Sequence, residues 1–197
     1  MYSSQLRTEK QMEKLLLVGA GGLGRVVLEH ASLLYECAFL DDGAVTEVDG
    51  IPVIGKTSEM SKFFGEYKKL LVTIGNNKLR ERLYQEAANV GYSFPNIVHP
   101  SAYISSHAHI GSGCVILNNA IVQNNARCGN GCILNPGVEL HHDSSIGNYC
   151  LIYTNSVVRS LTKVGDRVWI GSTATVSTSA VVPDDATIGD GEAFKTE

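Results

Sequence analysis

The chain has 197 residues, which is enough for one or two domains with a buried core. Charged residues make up 18 % and the net charge is only −4, which argues against a nucleic-acid-binding surface or a disordered tail. No apolar run approaches the roughly 20 residues of a membrane span, and the N-terminus lacks the apolar centre of a signal peptide. We therefore expect a cytoplasmic protein.

Residues 1–12 are mostly polar, and we expect them to form a flexible extension outside the fold. The first predicted element is a buried strand that leads through a glycine turn into a helix. The stretch LLLVGAGGLGRVVLEH has the G-x-G-x-x-G spacing of a dinucleotide-binding fingerprint. Glycines in such a turn let backbone N–H groups approach a phosphate at the positive end of the helix dipole. The candidate phosphate-binding residues are Gly19, Gly21, Gly22 and Gly24.

The next segments are predicted to extend a parallel sheet. CAFLDD is interpreted as a second strand ending in Asp41 and Asp42, which we expect to lie within reach of a ribose or base edge. IPVIGKTSEM is interpreted as a turn, with a helix starting at Thr57 or Ser58. For the glycine turn after the first strand there is an alternative to a ligand site: the turn binds nothing, and its glycines serve only close packing.

A third strand, residues 70–74, leads to Gly75 and Asn76 on the same rim and then to an amphipathic helix ending near Asn89. Alternating strands and helices of this kind predict an α/β domain with a parallel sheet over residues 13–96. That length holds only half of a Rossmann fold, and a dinucleotide site needs two halves. The expected ligand is therefore a nucleoside diphosphate rather than NAD or FAD.

The second half of the chain carries a six-residue repeat. Every sixth residue from Val98 to Phe194 is apolar, and the residue four positions further on is nearly always small. Neither an α-helix nor a flat strand has a period of six, whereas a coil of short strands and turns does. Three hexapeptides per coil predict a parallel β-helix over residues 97–197, shaped as a triangular prism with the apolar residues inside.

The cysteines fit this interior. Cys114, Cys132 and Cys150 recur in one phase of the repeat at the small inward position, and we interpret them as core fillers. The odd number of five cysteines without a C-x-x-C pair suits reduced thiols. The histidines are not spaced for one column of the coil, so no metal site is expected.

The order of these parts resembles a known family. Hexapeptides such as IGSGCV, CGNGCI and VGDRVW are similar to those of left-handed parallel β-helix acyltransferases, and the left hand is implied by that resemblance. GAGGLG, FLDD, TIGNNKLRERLYQ and the join FPNIVHPSAYIS resemble the NeuD/PglD group of bacterial sugar acetyltransferases. The resemblance implies a half-Rossmann domain that holds a nucleotide sugar. It also implies a homotrimer with acetyl-CoA in the groove between neighbouring β-helices.

The stretch ILNPGVELHHDSSIG resembles the catalytic segment of that family. The resemblance implies that His142 is the general base and that Asp143 orients it. An imidazole can accept a proton at neutral pH as an amine attacks a thioester, and a carboxylate on the other ring nitrogen fixes its tautomer. The repeat places His142 on the outside of the coil. His141 is the substitute if the alignment shifts by one residue.

The resemblance further implies that Asn135, Ser160 and Gly171 contact acetyl-CoA, although Ser160 replaces a family glycine. Lys163, Arg159 and Arg167 are the cations available for the 3′-phosphate. The inward cysteines disfavour an acyl-enzyme, so the predicted reaction is direct N-acetylation of a UDP- or dTDP-linked 4-amino sugar. O-acetylation of a sialic acid or related sugar, and a non-catalytic trimeric nucleotide-binding scaffold, are the alternatives.

Overall fold

The computed structural model describes residues 12–195, so the predicted extension, apart from Met12, lies outside the described residues. The N-terminal half contains a sheet in the order β3-β4-β2-β1-β5, in which all neighbours except β3 and β4 are parallel. Its strands are β1 (Lys14–Val18), β2 (Glu36–Leu40), β3 (Glu47–Val48), β4 (Ile51–Gly55) and β5 (Lys69–Val72). Its helices are α1 (Gly22–Ala31), a 3₁₀ turn (Thr57–Glu59), α2 (Met60–Phe63) and α3 (Asn77–Val90).

The glycine turn follows from the burial of β1. Residues 15–18 of β1 are fully buried, as expected for a parallel strand covered on both faces. Gly19 then takes a φ of +111°, a region that L side chains rarely adopt. The carboxyl ends of β1, β2 and β5 meet at one edge of the sheet, so the loops after these strands form a common rim.

One sequence prediction for this half is wrong. IPVIG was interpreted as a turn, but it forms strand β4, which pairs in parallel with β2 and forms a hairpin with β3. The hairpin turn is Asp49-Gly50, in which both residues have positive φ, at 48° and 82°. Asp-Gly between two short apolar stretches favours this tight turn. In addition, β5 ends at Val72, two residues before the predicted end at residue 74.

From Ile97 onward the chain is a left-handed parallel β-helix of two-residue strands, which confirms the predicted fold class. Three sheets form the sides of the prism. The first face contains β6 (Ile97–Val98), β9 (Val115–Ile116), β12 (Ile133–Leu134), β15 (Leu151–Ile152), β18 (Trp169–Ile170) and β21 (Thr187–Ile188). The second face contains β7 (Tyr103–Ile104), β10 (Ile121–Val122), β13 (Glu139–Leu140), β16 (Val157–Val158), β19 (Thr175–Val176) and β22 (Ala193–Phe194). The third face contains β8 (His109–Ile110), β11 (Arg127–Cys128), β14 (Ser145–Ile146), β17 (Lys163–Val164) and β20 (Val181–Val182).

The predicted interior of the coil agrees with the structure. Residues one coil apart pair directly, as Leu134 does with Ile152, and both side chains are fully buried. The five cysteines are free and buried. In the interior, Cys132 is fully buried, and burial raises the pKa of its thiol well above the usual value. Cys132 therefore packs as an apolar residue rather than serving as a nucleophile.

The N-terminal half sits on the first face of the prism. The outward side chains of that face, Val115, Ile133 and Leu151, are buried in one apolar cluster with the residues of the N-terminal sheet, and Trp169 packs against it. We propose the boundary between the two domains at residues 96 and 97, where the N-terminal sheet and its helices end and the two-residue strands of the β-helix begin. Of the helices in residues 12–195, none is long and apolar enough to cross a membrane.

Candidate functional site

His142 and Asp143 lie on the corner between the second and third faces of the prism. His142 Nδ1 is 2.8 Å from Asp143 Oδ2, and Asn125 Nδ2 donates to Asp143 Oδ1 at 3.2 Å. Both members of the pair are exposed, with 57 % and 43 % of their side-chain surfaces accessible. Asp143 has a φ of +60°, which Asp tolerates better than most residues, and this corner conformation turns the pair outward.

The protonation pattern of the pair follows from these contacts. The hydrogen bonds from His142 and then Asn125 hold the pKa of Asp143 below its usual value, so its carboxylate is ionised at neutral pH. An ionised carboxylate only accepts hydrogen bonds, so Nδ1 of His142 carries the proton. In the neutral ring Nε2 is then the free base, which is the tautomer that a general base needs.

Ser160 contacts the unprotonated ring nitrogen of His142. Its hydroxyl lies 2.9 Å from His142 Nε2, one coil further along the same corner. Because Nε2 is the unprotonated nitrogen, the Ser160 hydroxyl donates to it. The sequence prediction assigned Ser160 to acetyl-CoA through its backbone and missed this side-chain contact. The coil spacing between positions 142 and 160 was the signal that could have revealed it.

His141 occupies a separate environment. Its Nε2 lies 3.0 Å from Glu139 Oε2, on the second face, and only 27 % of its side chain is exposed. The backbone N–H of the next residue, His142, donates a hydrogen bond to Gln123 Oε1 at 3.0 Å. The structure therefore brings His142, and not His141, together with Asp143 and Ser160.

A groove runs along the third face beside the pair. It has a volume of about 480 Å³ and is lined by Asn125, Arg127, Asp143, Ser144, Ser145 and Lys163. Lys163 and Arg127 give the groove a positive side next to Asp143. Arg167, another of the three predicted phosphate contacts, points elsewhere and forms ion pairs with Glu81 at 3.3 Å and Asp185 at 2.9 Å. Lys163 is therefore better placed than Arg167 for an anion bound near His142.

A second cavity lies between the glycine turn and the first face of the β-helix. It has a volume of about 230 Å³ and is lined by Gly22, Leu23, Val26, Gly75, Asn135, Leu151 and Tyr153. Gly21 and Gly22 are exposed, and no atom lies within 4 Å of where a Cβ would stand on either residue. The backbone of the turn is thus exposed and uncrowded at these two glycines, a condition for close approach of a phosphate.

The residues predicted to contact acetyl-CoA do not form one cluster. Asn135 lies in the cavity of the glycine turn, where its Nδ2 donates to the carbonyl of Ile152 at 3.0 Å. Gly171 is buried two coils beyond Asn135, on the same corner between the first and second faces of the prism. A Cβ on Gly171 would lie 2.5 Å from Asp190 Oδ1. Ser160 alone accompanies His142. We therefore expect Asn135 to face the nucleotide-sugar side of the molecule.

The two aspartates after β2 organise the rim. Asp41 Oδ2 accepts the Ala20 N–H at 2.8 Å, and its Oδ1 accepts the Gly43 N–H at 2.7 Å. The Asp42 carboxylate accepts the backbone N–H and hydroxyl of Thr57 at 3.0 and 2.8 Å. Asp41 thereby ties the glycine turn to the neighbouring loop. Contact of either aspartate with a ribose or base stays a prediction.

Within residues 12–195, no three His, Cys, Asp or Glu side chains come together as a group that could hold a metal ion.

Comparisons with known proteins match both halves of the chain. The family description of the PglD N-terminal domain matches residues 14–87. UDP-N-acetylbacillosamine N-acetyltransferase of Bacillus subtilis (strain 168) is 30 % identical over 115 residues, which are 54 % of this chain and 52 % of that protein. The match thus spans about half the length of this curated relative.

Two solved structures match over nearly the whole chain. The acetyltransferase domain of PglB from Neisseria gonorrhoeae is 32 % identical, with a TM-score of 0.89 over 94 % of this chain and 92 % of that chain. A histidine mutant of perosamine N-acetyltransferase from Caulobacter crescentus, in complex with CoA and GDP-perosamine, is 26 % identical, with a TM-score of 0.90 over 93 % and 89 % of the two chains. The chain belongs to the NeuD/PglD-type family of sugar acetyltransferases.

Proposed function

We propose that this protein transfers the acetyl group of acetyl-CoA to the 4-amino group of a nucleotide-linked sugar. The observation that carries the proposal is the outward-facing pair of His142 and Asp143 at an exposed corner, in which Nε2 of the neutral His142 ring is the unprotonated nitrogen. The relatives support the class of substrate, since one is named for a UDP-linked sugar and another binds CoA and GDP-perosamine. UDP, dTDP and GDP are accordingly the nucleotides to test.

The proposed nucleotide-sugar site is the cavity between the glycine turn and the β-helix. Gly21 and Gly22 would let backbone N–H groups reach the diphosphate, while Gly19 and Gly24 shape the turn. Gly75 and Asn76 complete the rim, and Asn135 approaches it from the β-helix. Asp41 fixes the glycine turn by accepting the N–H of Ala20. This division of roles follows from open space at two of the glycines and close packing at the other two.

The proposed reaction is a direct transfer. The sugar amine attacks the thioester carbonyl carbon, His142 Nε2 removes a proton from the attacking nitrogen, and the C–S bond breaks to release CoA as a thiolate, which takes up the proton held by His142. Asp143 accepts a hydrogen bond from Nδ1–H throughout, stays ionised and stabilises the imidazolium that forms. The Ser160 hydroxyl, which occupies Nε2 in this structure, must turn away to admit the amine. Lys163 and Arg127 supply positive charge for the phosphates of CoA on the third face.

The geometry also supports a homotrimer. The N-terminal half covers the first face, and His142 lies on the corner opposite that face. A sugar held at the glycine turn of one chain is thus on the other side of the prism from the His142 of the same chain. A neighbouring copy can bring a His142 corner to the glycine turn. We propose that the active site is shared between copies.

We also propose a cytoplasmic location, since five free buried cysteines suit a reducing compartment.

The test is a thiol-release assay with acetyl-CoA and UDP-, dTDP- and GDP-linked 4-amino sugars. We expect the wild-type protein to turn over at least one of them and His142→Ala to lose about 10²- to 10⁴-fold in kcat, as removal of a general base does. His141→Ala is the control, because its side chain pairs with Glu139 instead. Undiminished turnover by His142→Ala would contradict the assignment.

A further inference from the structure

Arg80 is a buried charged side chain for which the proposed reaction has no use. It is fully buried, and it is the largest of the fully buried residues in the described part of the chain. All three guanidinium nitrogens donate hydrogen bonds, and every acceptor is a carbonyl-type oxygen. The acceptors are the backbone carbonyls of Ile74, Gly75, Gly131 and Tyr149 and the Oδ1 of Asn77.

These acceptors belong to two separate parts of the molecule. Nη1 donates to Ile74 at 2.8 Å and to Gly75 at 3.4 Å, in the loop between β5 and α3 that forms part of the rim. Nε donates to Gly131 at 2.9 Å in one coil of the β-helix. Nη2 donates to Tyr149, which lies one coil further along the same corner. Arg80 thus fastens the rim loop to two consecutive coils.

This fastening sets the direction of the loop's N–H groups. In a trans peptide the carbonyl and the N–H point in opposite directions. Because the carbonyls of Ile74 and Gly75 face Arg80, the N–H groups of Gly75 and Asn76 point away from it. Both residues are exposed, and neither N–H has a protein partner in the part of the chain that the structure describes. The loop therefore presents two free donors on the side away from Arg80.

Within residues 12–195, no carboxylate is among the hydrogen-bond partners of Arg80, and burial lowers the pKa of its guanidinium. A cation held in a low-dielectric interior favours an anion close by more strongly than a solvated cation does. An anionic group at the exposed side of the loop would meet both the free N–H donors and this charge.

We infer that Arg80 is a positioning residue for the nucleotide sugar, which holds the Gly75-Asn76 loop so that its N–H groups face the diphosphate. The inference rests on the proposed function. Arg80 itself does not touch the substrate. Lysine cannot replace it, because an ammonium has three donors on one atom and cannot span acceptors in the loop and in both coils.

The experiment compares steady-state kinetics of the wild-type protein and Arg80→Lys. We expect KM for the nucleotide sugar to rise about tenfold or more, with KM for acetyl-CoA changed less than about twofold. The split is expected because Lys163, Arg127 and His142 lie away from the Arg80 loop. Arg82→Lys is the matched control, since Arg82 is on the same helix but is 67 % exposed and pairs with Glu86. It should leave both KM values unchanged.

Equal changes in both KM values, or a change in neither, would overturn the inference. If Arg80→Lys does not fold, Asn77→Ala carries the same test, because it removes the acceptor of Arg80 at the start of α3, directly after the loop, together with the Asn77 contacts to the carbonyls of Arg167 and Val168. Calorimetric titration with UDP, dTDP and GDP separates this inference from the proposed function. A wild-type protein that binds a nucleotide but acetylates no sugar contradicts the proposed function. Weaker nucleotide binding by Arg80→Lys still supports the role of Arg80.

Discussion

At the scale of single residues, the candidate base is controlled by neighbours in sequence and by neighbours one coil away. Asp143 adjoins His142 in the chain and fixes its tautomer through Nδ1. Ser160 stands one coil further along the corner and donates to Nε2. The base is thus held on both ring nitrogens before a substrate arrives. A ring held in this way needs little rearrangement to accept a proton, since only the serine contact has to be exchanged.

The Asp143 contact should have a measurable pH signature. Its folded-state pKa is lowered by His142 and Asn125, so its contribution to stability is present above the unfolded-state pKa of about 3.9. That contribution is lost as the pH falls through the lower folded-state pKa. We expect Asp143→Asn to unfold at a lower urea concentration than the wild type at pH 6, with a smaller difference at pH 3. Because the pair is exposed, the effect is small and weakens with salt. An equal difference at both pH values would contradict it.

At the scale of elements, the glycine turn contains two kinds of glycine. A Cβ on Gly24 would lie 2.1 Å from the carbonyl oxygen of Gly19, so this glycine lets α1 pack against the turn. Gly19 itself needs its positive φ. Gly21 and Gly22 meet neither constraint, since the space around them is open. The fingerprint thus combines glycines that the fold requires with glycines that the fold does not require, and we propose a ligand-binding role for the second kind.

This distinction predicts opposite effects of two similar substitutions. Gly24→Ala should lower the free energy of unfolding by about 1–3 kcal/mol, because the methyl group overlaps the Gly19 carbonyl. Gly21→Ala should change stability by less than about 0.5 kcal/mol but raise KM for the nucleotide sugar. Denaturant unfolding and steady-state kinetics check the two effects. If Gly21→Ala left KM unchanged, the turn would serve packing alone.

At the scale of the whole molecule, the prism separates the two candidate sites. The apolar cluster that joins the N-terminal half to the first face fixes the glycine turn on that side. The His142 pair lies on the opposite corner, beside the groove of the third face. On the proposal of a shared site, each chain would contribute half of two different sites, and association of copies would complete them.

A complementation experiment tests the shared site. His142→Ala lacks the base, and Gly22→Glu places a negative charge in the open space of the glycine turn. Each variant alone should be inactive. Co-expressed chains carrying different affinity tags should regain a measurable part of the wild-type turnover, because mixed assemblies unite an intact His142 with an intact turn. Purified mixed assemblies without activity would show that the site lies within one chain.

The sequence by itself determined the features that depend on local periodicity. The period of six specified the β-helix and its interior, since the inward positions recur however the coils are packed. The run of buried residues before Gly19 specified the first strand and its turn. The adjacency of His142 and Asp143 on an outward corner also followed from the phase of the repeat.

Only the tertiary structure decided the contacts between segments that are distant in sequence. It placed the Ser160 hydroxyl on His142, Asn135 at the glycine turn, and Arg80 between the rim loop and the β-helix. The strand β4 was also missed, because its pairing with β2 depends on the sheet rather than on its own residues. A repeat defines where each side chain points within its coil. Which chain segment lies opposite depends on how the two halves pack, and a local pattern carries no information about that packing.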